Sequence, residues 1–175
     1  MARLIGTDSN QVPTVADLGS AAFLDKASIM GPAFCVKMTS DKTINDSQWA
    51  ALGFEEAEYN IGNGFDLSTD RFTAYQSGIY LFNAIYLAVN ANGINRAILD
   101  FTVNGTQGNR RVADIDYAGI TGTPTDACTY GGSRPISLSI GDYVQVSVFI
   151  DGVSGSTTVS TSQTFFAGQF IRPNT

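Results

Sequence analysis

The segment from Tyr143 to Ile150 alternates between aliphatic residues and residues of other kinds, which is the pattern of a half-buried β-strand. Val144, Val146 and Val148 fall on one face of that strand, because successive side chains point to opposite sides. Short apolar segments recur along the chain, and turn residues such as Gly, Asn and Asp separate them. No segment carries a long helical period. The sequence therefore predicts an all-β sandwich or jelly roll.

Nine segments are predicted as strands on this basis, and residues 39–47 are predicted as a polar loop. The predicted strands are Ala33–Met38, Trp49–Phe54, Phe72–Tyr75, Ile79–Val89, Arg96–Val103, Arg111–Tyr117, Ile136–Ile140, Tyr143–Ile150 and Thr164–Ile171. A glycine and asparagine corner at Asn60–Gly64 leads into a further short strand.

The first and last strands are apolar on both faces, apart from Lys37 and Gln169. In the last strand Phe166 and Phe170 share one face, and Phe165 lies on the other. In the first strand Phe34 and Val36 share one face, and the apolar residues Ala33 and Cys35 lie on the other. One face packs in the sandwich core and the other needs a second cover, so self-association is predicted. We expect these five residues to lie in the inner sheet or in an interface between copies.

The order of several short motifs resembles the globular head of the q subunit of the first complement component, whose jelly roll is shared with tumour necrosis factor. The matching residues are Pro32-Ala33-Phe34, Phe54 through Asn60, Asn63-Gly64-Phe65-Asp66, Phe72-Thr73, Gly78-Ile79-Tyr80-Leu81-Phe82, Asn104-Gly105, Leu138 through Val144, and Phe166 through Ile171. The resemblance implies a ten-stranded jelly roll, a homotrimer and recognition by loops. Asp70 and Tyr75 depart from the family pattern, and the family's calcium-binding residues have no clear counterparts.

The chain has no histidine, which removes the usual general base near neutral pH and the commonest transition-metal ligand. The net charge of -6 and the scattered basic residues disfavour nucleic acid. Since Ile79–Val89 is too short and contains Asn83, no membrane insertion is expected. We expect a binding or structural protein, with no enzymatic activity, cofactor or metal.

Acidic residues offer only weak candidates for chemistry. Asp114 and Asp116 point the same way on one strand and could hold calcium, although such a pair is more often simply solvated. Glu55, Glu56 and Glu58 resemble a glycosidase site in composition alone, because no cleft is indicated.

Loops and aromatic residues offer candidates for recognition. Asn60–Gly64 could form an anion-binding or sugar-binding nest, but a structural need for unusual dihedrals is the stronger interpretation. Trp49 could stack on a sugar, or it belongs to the core or an interface. Tyr117, Tyr130 and the loop from Gly119 to Gly132 are the candidates for partner contact.

The two cysteines are Cys35 and Cys128. Cys35 lies in an apolar run, where a buried thiol is the favoured interpretation. A disulfide between the two stays open. The segment Met1–Asp8 does not resemble a signal peptide, so we expect the protein to be made in a cytoplasm, or to be exported without a cleavable signal.

Residues 1–31 differ from the rest and are predicted to form an attachment arm, followed by a head domain over residues 32–175. The segment Ala16–Asp25 resembles short pieces of bacteriophage fibre proteins, and Leu18, Phe23 and Leu24 are its candidate anchors. The sequence favours a bacteriophage virion protein: a trimeric capsid decoration protein or head fibre, or a fibre tip. Its partners would be other virion proteins through the arm and a host-surface glycan. The alternative is a secreted or surface module that binds carbohydrate or protein without a virion role.

Overall fold

The computed structural model describes residues 31–91, 93–117, 126–153 and 155–174, and these form twelve strands and no helix. The strands are β1 (Ala33–Lys37), β2 (Lys42–Asn45), β3 (Gln48–Ala51), β4 (Glu56–Ile61), β5 (Phe65–Asp66), β6 (Arg71–Thr73), β7 (Gly78–Val89), β8 (Arg96–Val103), β9 (Arg111–Asp116), β10 (Ala127–Leu138), β11 (Tyr143–Asp151) and β12 (Ser156–Pro173). Within these ranges no helix is long and apolar enough to cross a membrane.

Two antiparallel sheets face each other. The first sheet has the order β10-β7-β12-β1-β4, with β2 also paired to β12. The second sheet has the order β5-β6-β11-β8-β9, with β3 also paired to β11. Apart from the pairs β5–β6 and β8–β9, neighbours in each sheet are not consecutive in the chain, as in a jelly roll. The predicted all-β sandwich is confirmed.

The long strand β7 shows how each face is assigned. Its residues alternate between buried and half-buried along its whole length from Gly78 to Val89. Tyr80, Phe82 and Tyr86 point between the sheets and are fully buried. Because the side-chain period is two, every second residue must then point away from the core.

Phe166 lies at the centre of the aromatic core. Its ring is 4.9 Å from that of Phe34 in an edge-on arrangement and 5.8 Å from those of Phe82 and Phe101. The position two residues further along β12 is Gly168, where a Cβ atom would stand 2.6 Å from the Phe34 ring. The small residue thus leaves room for the rings of Phe34 and Phe82.

The structure corrects two boundaries of the predicted loops. Residues 42–45 form β2, where Ile44 is fully buried, and residues 127–132 belong to β10. The two adjacent glycines, Gly131 and Gly132, led to the prediction of a loop, because glycine is uncommon inside strands. Here a Cβ atom on Gly132 would stand 2.6 Å from the carbonyl oxygen of Val112, so the close approach of β9 requires glycine within the strand.

The corner at Asn60–Gly64 has a structural role. The Asn60 side chain donates to the Phe65 carbonyl oxygen at 2.8 Å and accepts from the Phe65 amide at 3.2 Å. Gly62 and Asn63 both have positive φ angles, of 79° and 51°. The glycine and asparagine therefore serve the turn between β4 and β5.

A fully buried carboxylate fixes the loop between β8 and β9. Asp100 accepts hydrogen bonds from the backbone amides of Gly108, at 3.1 Å, and Arg110, at 2.8 Å. The hydroxyl of Thr102 lies 3.2 Å from the same carboxylate and 2.8 Å from the Ser147 hydroxyl. This loop therefore covers part of the outer face of the second sheet.

We expect Asp100→Asn to lower the free energy of unfolding by about 1–3 kcal/mol. The two backbone amides bond different oxygens of the carboxylate, and in asparagine one of these oxygens becomes an NH₂ group that cannot accept, so one amide is left unsatisfied. Urea denaturation measures the change. Asp126→Asn, at an exposed position, is the matched control and should leave stability nearly unchanged. Equal stabilities of the two variants would contradict this role of Asp100.

Candidate self-association surface

The outer face of the first sheet is apolar over several adjacent strands. The outward-facing residues of β7 are half-buried, and all but one are aliphatic: Ile79, Leu81, Asn83, Ile85, Leu87 and Val89. Strand β12 adds Phe165 and Ala167, which pair with Ile85 and Asn83. We call this surface the open face of the first sheet.

Strands β1 and β4 extend the open face to the edge of the sheet. Cys35 of β1 lies between Ala167 of β12 and Tyr59 of β4 in the strand register. Tyr59 and Ile61 are 47% and 49% exposed, respectively. Contiguous apolar surfaces of this kind commonly mark interaction sites in proteins.

A polar bulge interrupts the open face toward one end of the sheet. The pairing of β12 with β7 is interrupted between Ser160 and Phe165, and Ser162 and Gln163 within the bulge are exposed. The Thr161 amide donates to Asp41 at 2.8 Å, and Gln163 accepts from the Thr129 hydroxyl at 3.2 Å. Leu87 and Val89 lie beyond the bulge, and the larger apolar part of the face lies on the side that holds the two ends of the described chain.

The five residues predicted from the two-faced strands all lie on β1 or β12, in the first sheet. Phe34, Val36 and Phe166 point into the core and are at most 1% exposed. Phe170 packs at the margin of the core, with its ring 5.2 Å from that of Tyr80. Phe165 alone among the five lies on the open face. The role of these residues in an interface stays a prediction.

The residues that β7 contributes to the open face could have been predicted from the sequence. A strand that is apolar on both faces needs cover on both, and the segment from Ile79 to Val89 has this pattern apart from Asn83. Tyr59 and Ile61 carried no such signal. Acidic residues surround Tyr59, and β4 lies outside every predicted strand.

Cys35 has an unusual environment on this face. Burial and the neighbouring Glu58 carboxylate raise the pKa of its thiol to about 11. Both cysteines are free thiols. Strands β12 and β7 separate Cys35 from Cys128 of β10, a distance of about 14 Å at the usual strand spacing, so an intrachain disulfide is ruled out.

Tyr117 and Tyr130 belong to a cluster at the margin of the core. Tyr130 is 1% exposed and stacks on Tyr86 with ring centroids 5.0 Å apart. Its hydroxyl lies 3.3 Å from that of Tyr117, whose own hydroxyl is 3.5 Å from the Cys128 sulfur. Burial raises the pKa values of Tyr86 and Tyr130. Tyr130 therefore lies in the core of this chain. Residues 118–125 of the predicted loop lie outside the described residues.

The acidic candidates form ion pairs and hydrogen bonds. Asp114 receives two hydrogen bonds from Arg96, at 2.9 and 3.0 Å, and one from Arg111 at 2.7 Å, which lower its pKa. Glu56 pairs with Lys37 at 3.0 Å. Glu55 accepts from the Thr39 amide at 2.7 Å.

Among the described residues no group of three or more Cys, Asp or Glu is placed to hold a metal ion. Trp49 is half-buried on β3 against Phe149, with ring centroids 5.5 Å apart. The predicted anchors Leu18, Phe23 and Leu24 lie outside the described residues. At the point where the described chain begins, the Phe170 amide donates to the Pro32 carbonyl oxygen at 2.9 Å.

The comparisons with known proteins agree with this architecture. The model of the C1q domain matches residues 33–171. The globular domain of zebrafish complement 1qA protein is similar in structure, with a TM-score of 0.57 at 18% identity, over 82% of this chain and 98% of that one. Murine APRIL gives a TM-score of 0.54 at 14% identity, over 80% and 98% of the two chains. The tumour necrosis factor Eiger from S. frugiperda gives 0.55 at 12% identity, over 82% and 93%. No curated protein matches the chain.

These features define a two-sheet jelly roll of the complement-head and tumour necrosis factor class. The chain belongs to the C1q domain family. The predicted resemblance is confirmed by the match across residues 33–171. Domains of this class are binding or structural modules without enzymatic activity, as the sequence indicated.

We expect Glu58→Gln to lower the pKa of Cys35 from about 11 toward its ordinary value, because the negative charge beside the thiol is removed. The thiolate is the reactive form, so the variant should be alkylated by iodoacetamide at lower pH than the parent. Both proteins carry Cys128→Ser. Glu55→Gln is the control and should leave the profile unchanged; identical profiles for Glu58→Gln and the parent would contradict the assignment.

Proposed function

We propose that this protein is a homotrimeric head domain that acts by binding or by structural support. The apolar open face of the first sheet carries the proposal. Such a face is costly to leave in water, and burial against further copies of the chain removes that cost. Domains of the C1q and tumour necrosis factor type typically form homotrimers, which supports three copies.

The contrast between the two outer faces supports the choice of surface. On the second sheet, Asp100 holds a loop of the same chain over polar neighbours such as Thr102 and Ser147. On the first sheet, Leu81, Ile85 and Phe165 have no comparable cover among the described residues. The surface without an intrachain cover is the one expected to meet a partner.

We expect Phe165→Glu to convert the trimer into folded monomers, because a carboxylate would be brought into the apolar interface and lose its hydration. Light scattering should give three times the chain mass of 18.6 kDa for the parent and one chain mass for the variant. Ile140→Glu, at a position 69% exposed in the turn before β11, is the control and should keep the trimer. A monomeric parent at micromolar concentration would contradict the proposal.

A role as a bacteriophage virion protein is the more specific candidate, and the sequence of residues 16–25 favours it. In that case residues 1–31 attach the head to other virion proteins. The protein would serve as a capsid decoration protein or head fibre, or as a fibre tip that contacts a host-surface glycan. A carbohydrate-binding or protein-binding module without a virion role is the alternative.

Substitution of Leu18, Phe23 and Leu24 by Asp in the full chain separates these roles. We expect the variant to keep the trimer mass and to be lost from purified phage particles, because the apolar contacts of the arm are removed. Immunodetection in the particles measures this. Binding of the parent head to a glycan array would favour adhesion, and retention of the variant on particles would contradict attachment through these residues.

A further inference from the structure

A shallow depression lies on the open face beside the edge strand β10. Gly131 of β10 is paired with Ile85 of β7, and the glycine leaves a gap above the sheet. A Cβ atom at Gly131 would stand 2.7 Å from the Ile85 side chain, so glycine is needed for this arrangement. Phe165 forms another part of the wall.

The depression also carries polar groups on one side. Asn83 of β7 and Ser133 of β10 form a cross-strand pair there, next to the small side chain of Ala167. An occupant that suits the site is therefore mostly apolar and ends in a group that can form a hydrogen bond. A tyrosine side chain has this character.

Tyr59 projects from the same face at the opposite edge of the sheet. It is 47% exposed on β4. The strand register places it in one row with Cys35, Ala167, Asn83 and Ser133, because each of these residues pairs directly with the next. Tyr59 and the polar side of the depression therefore lie at the same height along the strands, about 19 Å apart at the usual strand spacing.

This equal height suits a closed ring of copies whose axis runs along the strands, which is the arrangement that we infer. Rotation about such an axis changes no heights, so a projection on one edge meets only features at the same level on the neighbour. Tyr59 and the depression are different surfaces on opposite edges, which gives a head-to-tail contact that can close into a ring.

We infer that Tyr59 of one copy inserts into the Gly131 depression of the next copy, with its hydroxyl directed to Asn83 and Ser133. The inference rests on the proposed trimer and adds the residues that set its register. The partner is a second copy of this chain, and the contact repeats around the ring.

Cross-linking of engineered cysteines tests the contact directly. With the Tyr59 hydroxyl at Ser133, the two Cα atoms lie farther apart than a disulfide spans, so a short bismaleimide is used as the cross-linker. The chain with Tyr59→Cys and Ser133→Cys, in a Cys35→Ala and Cys128→Ser background, should form covalent products of up to three chains with this reagent. Each single variant in the same background should stay unlinked, because a head-to-tail contact brings position 59 to position 133 and not to itself. Linkage in either single variant would overturn the inference.

A second measurement uses the free energy of association. Tyr59→Ala should weaken association about tenfold or more, as expected for a buried aromatic anchor. Ser133→Trp, at an exposed position, should do the same by filling the depression. Ile140→Ala lies outside the row and should have no effect in sedimentation equilibrium.

The outcomes separate this inference from the proposed function. A parent chain with trimer mass, no linkage in the double variant and unchanged association of Tyr59→Ala would overturn the Tyr59 contact alone. A parent chain that stays monomeric would overturn both.

Discussion

The packing of Phe166 between the two sheets is the contact on which the rest of the structure depends. Its ring lies within 6 Å of rings from both sheets, among them Phe34, Phe65 and Phe101. Burial of these rings is the main gain that joins the sheets. It also fixes the orientation of β12, because a shift of one residue would exchange the two faces of the strand.

The open face is a direct consequence of that orientation. With Phe166 and Gly168 turned inward, Phe165 and Ala167 must point outward, and β7 is constrained in the same way by Tyr80 and its inward neighbours. The outer face of the second sheet is covered differently. Asp100 binds the loop between β8 and β9 of its own chain over that face. The asymmetry between the two outer faces is therefore built into the chain, and it leaves one side of the molecule apolar and uncovered by the described residues.

Sequence patterns predicted the strands with strong alternation or long apolar runs, such as β7 and β11. They failed where a residue's preference was overridden by its tertiary neighbours. Gly131 and Gly132 favour a loop by composition. In the structure they lie in β10, because Ile85 and β9 approach so closely that only glycine fits at these two positions. Tyr130 was therefore placed in the predicted loop. It lies in the core instead, because β10 extends further than its composition indicates.

The sequence by itself determined the all-β class, the family and the two-faced character of the first and last strands, since these depend on local alternation and on short motifs. It also determined the absence of histidine chemistry. Only the tertiary structure decided which face of each strand is open. Only the register across β4, β1, β12, β7 and β10 placed Tyr59 in one row with Asn83 and Ser133, on the polar side of the depression. The physical reason is that pairing between strands distant in the chain is set by the packing of the whole core, which no local pattern contains.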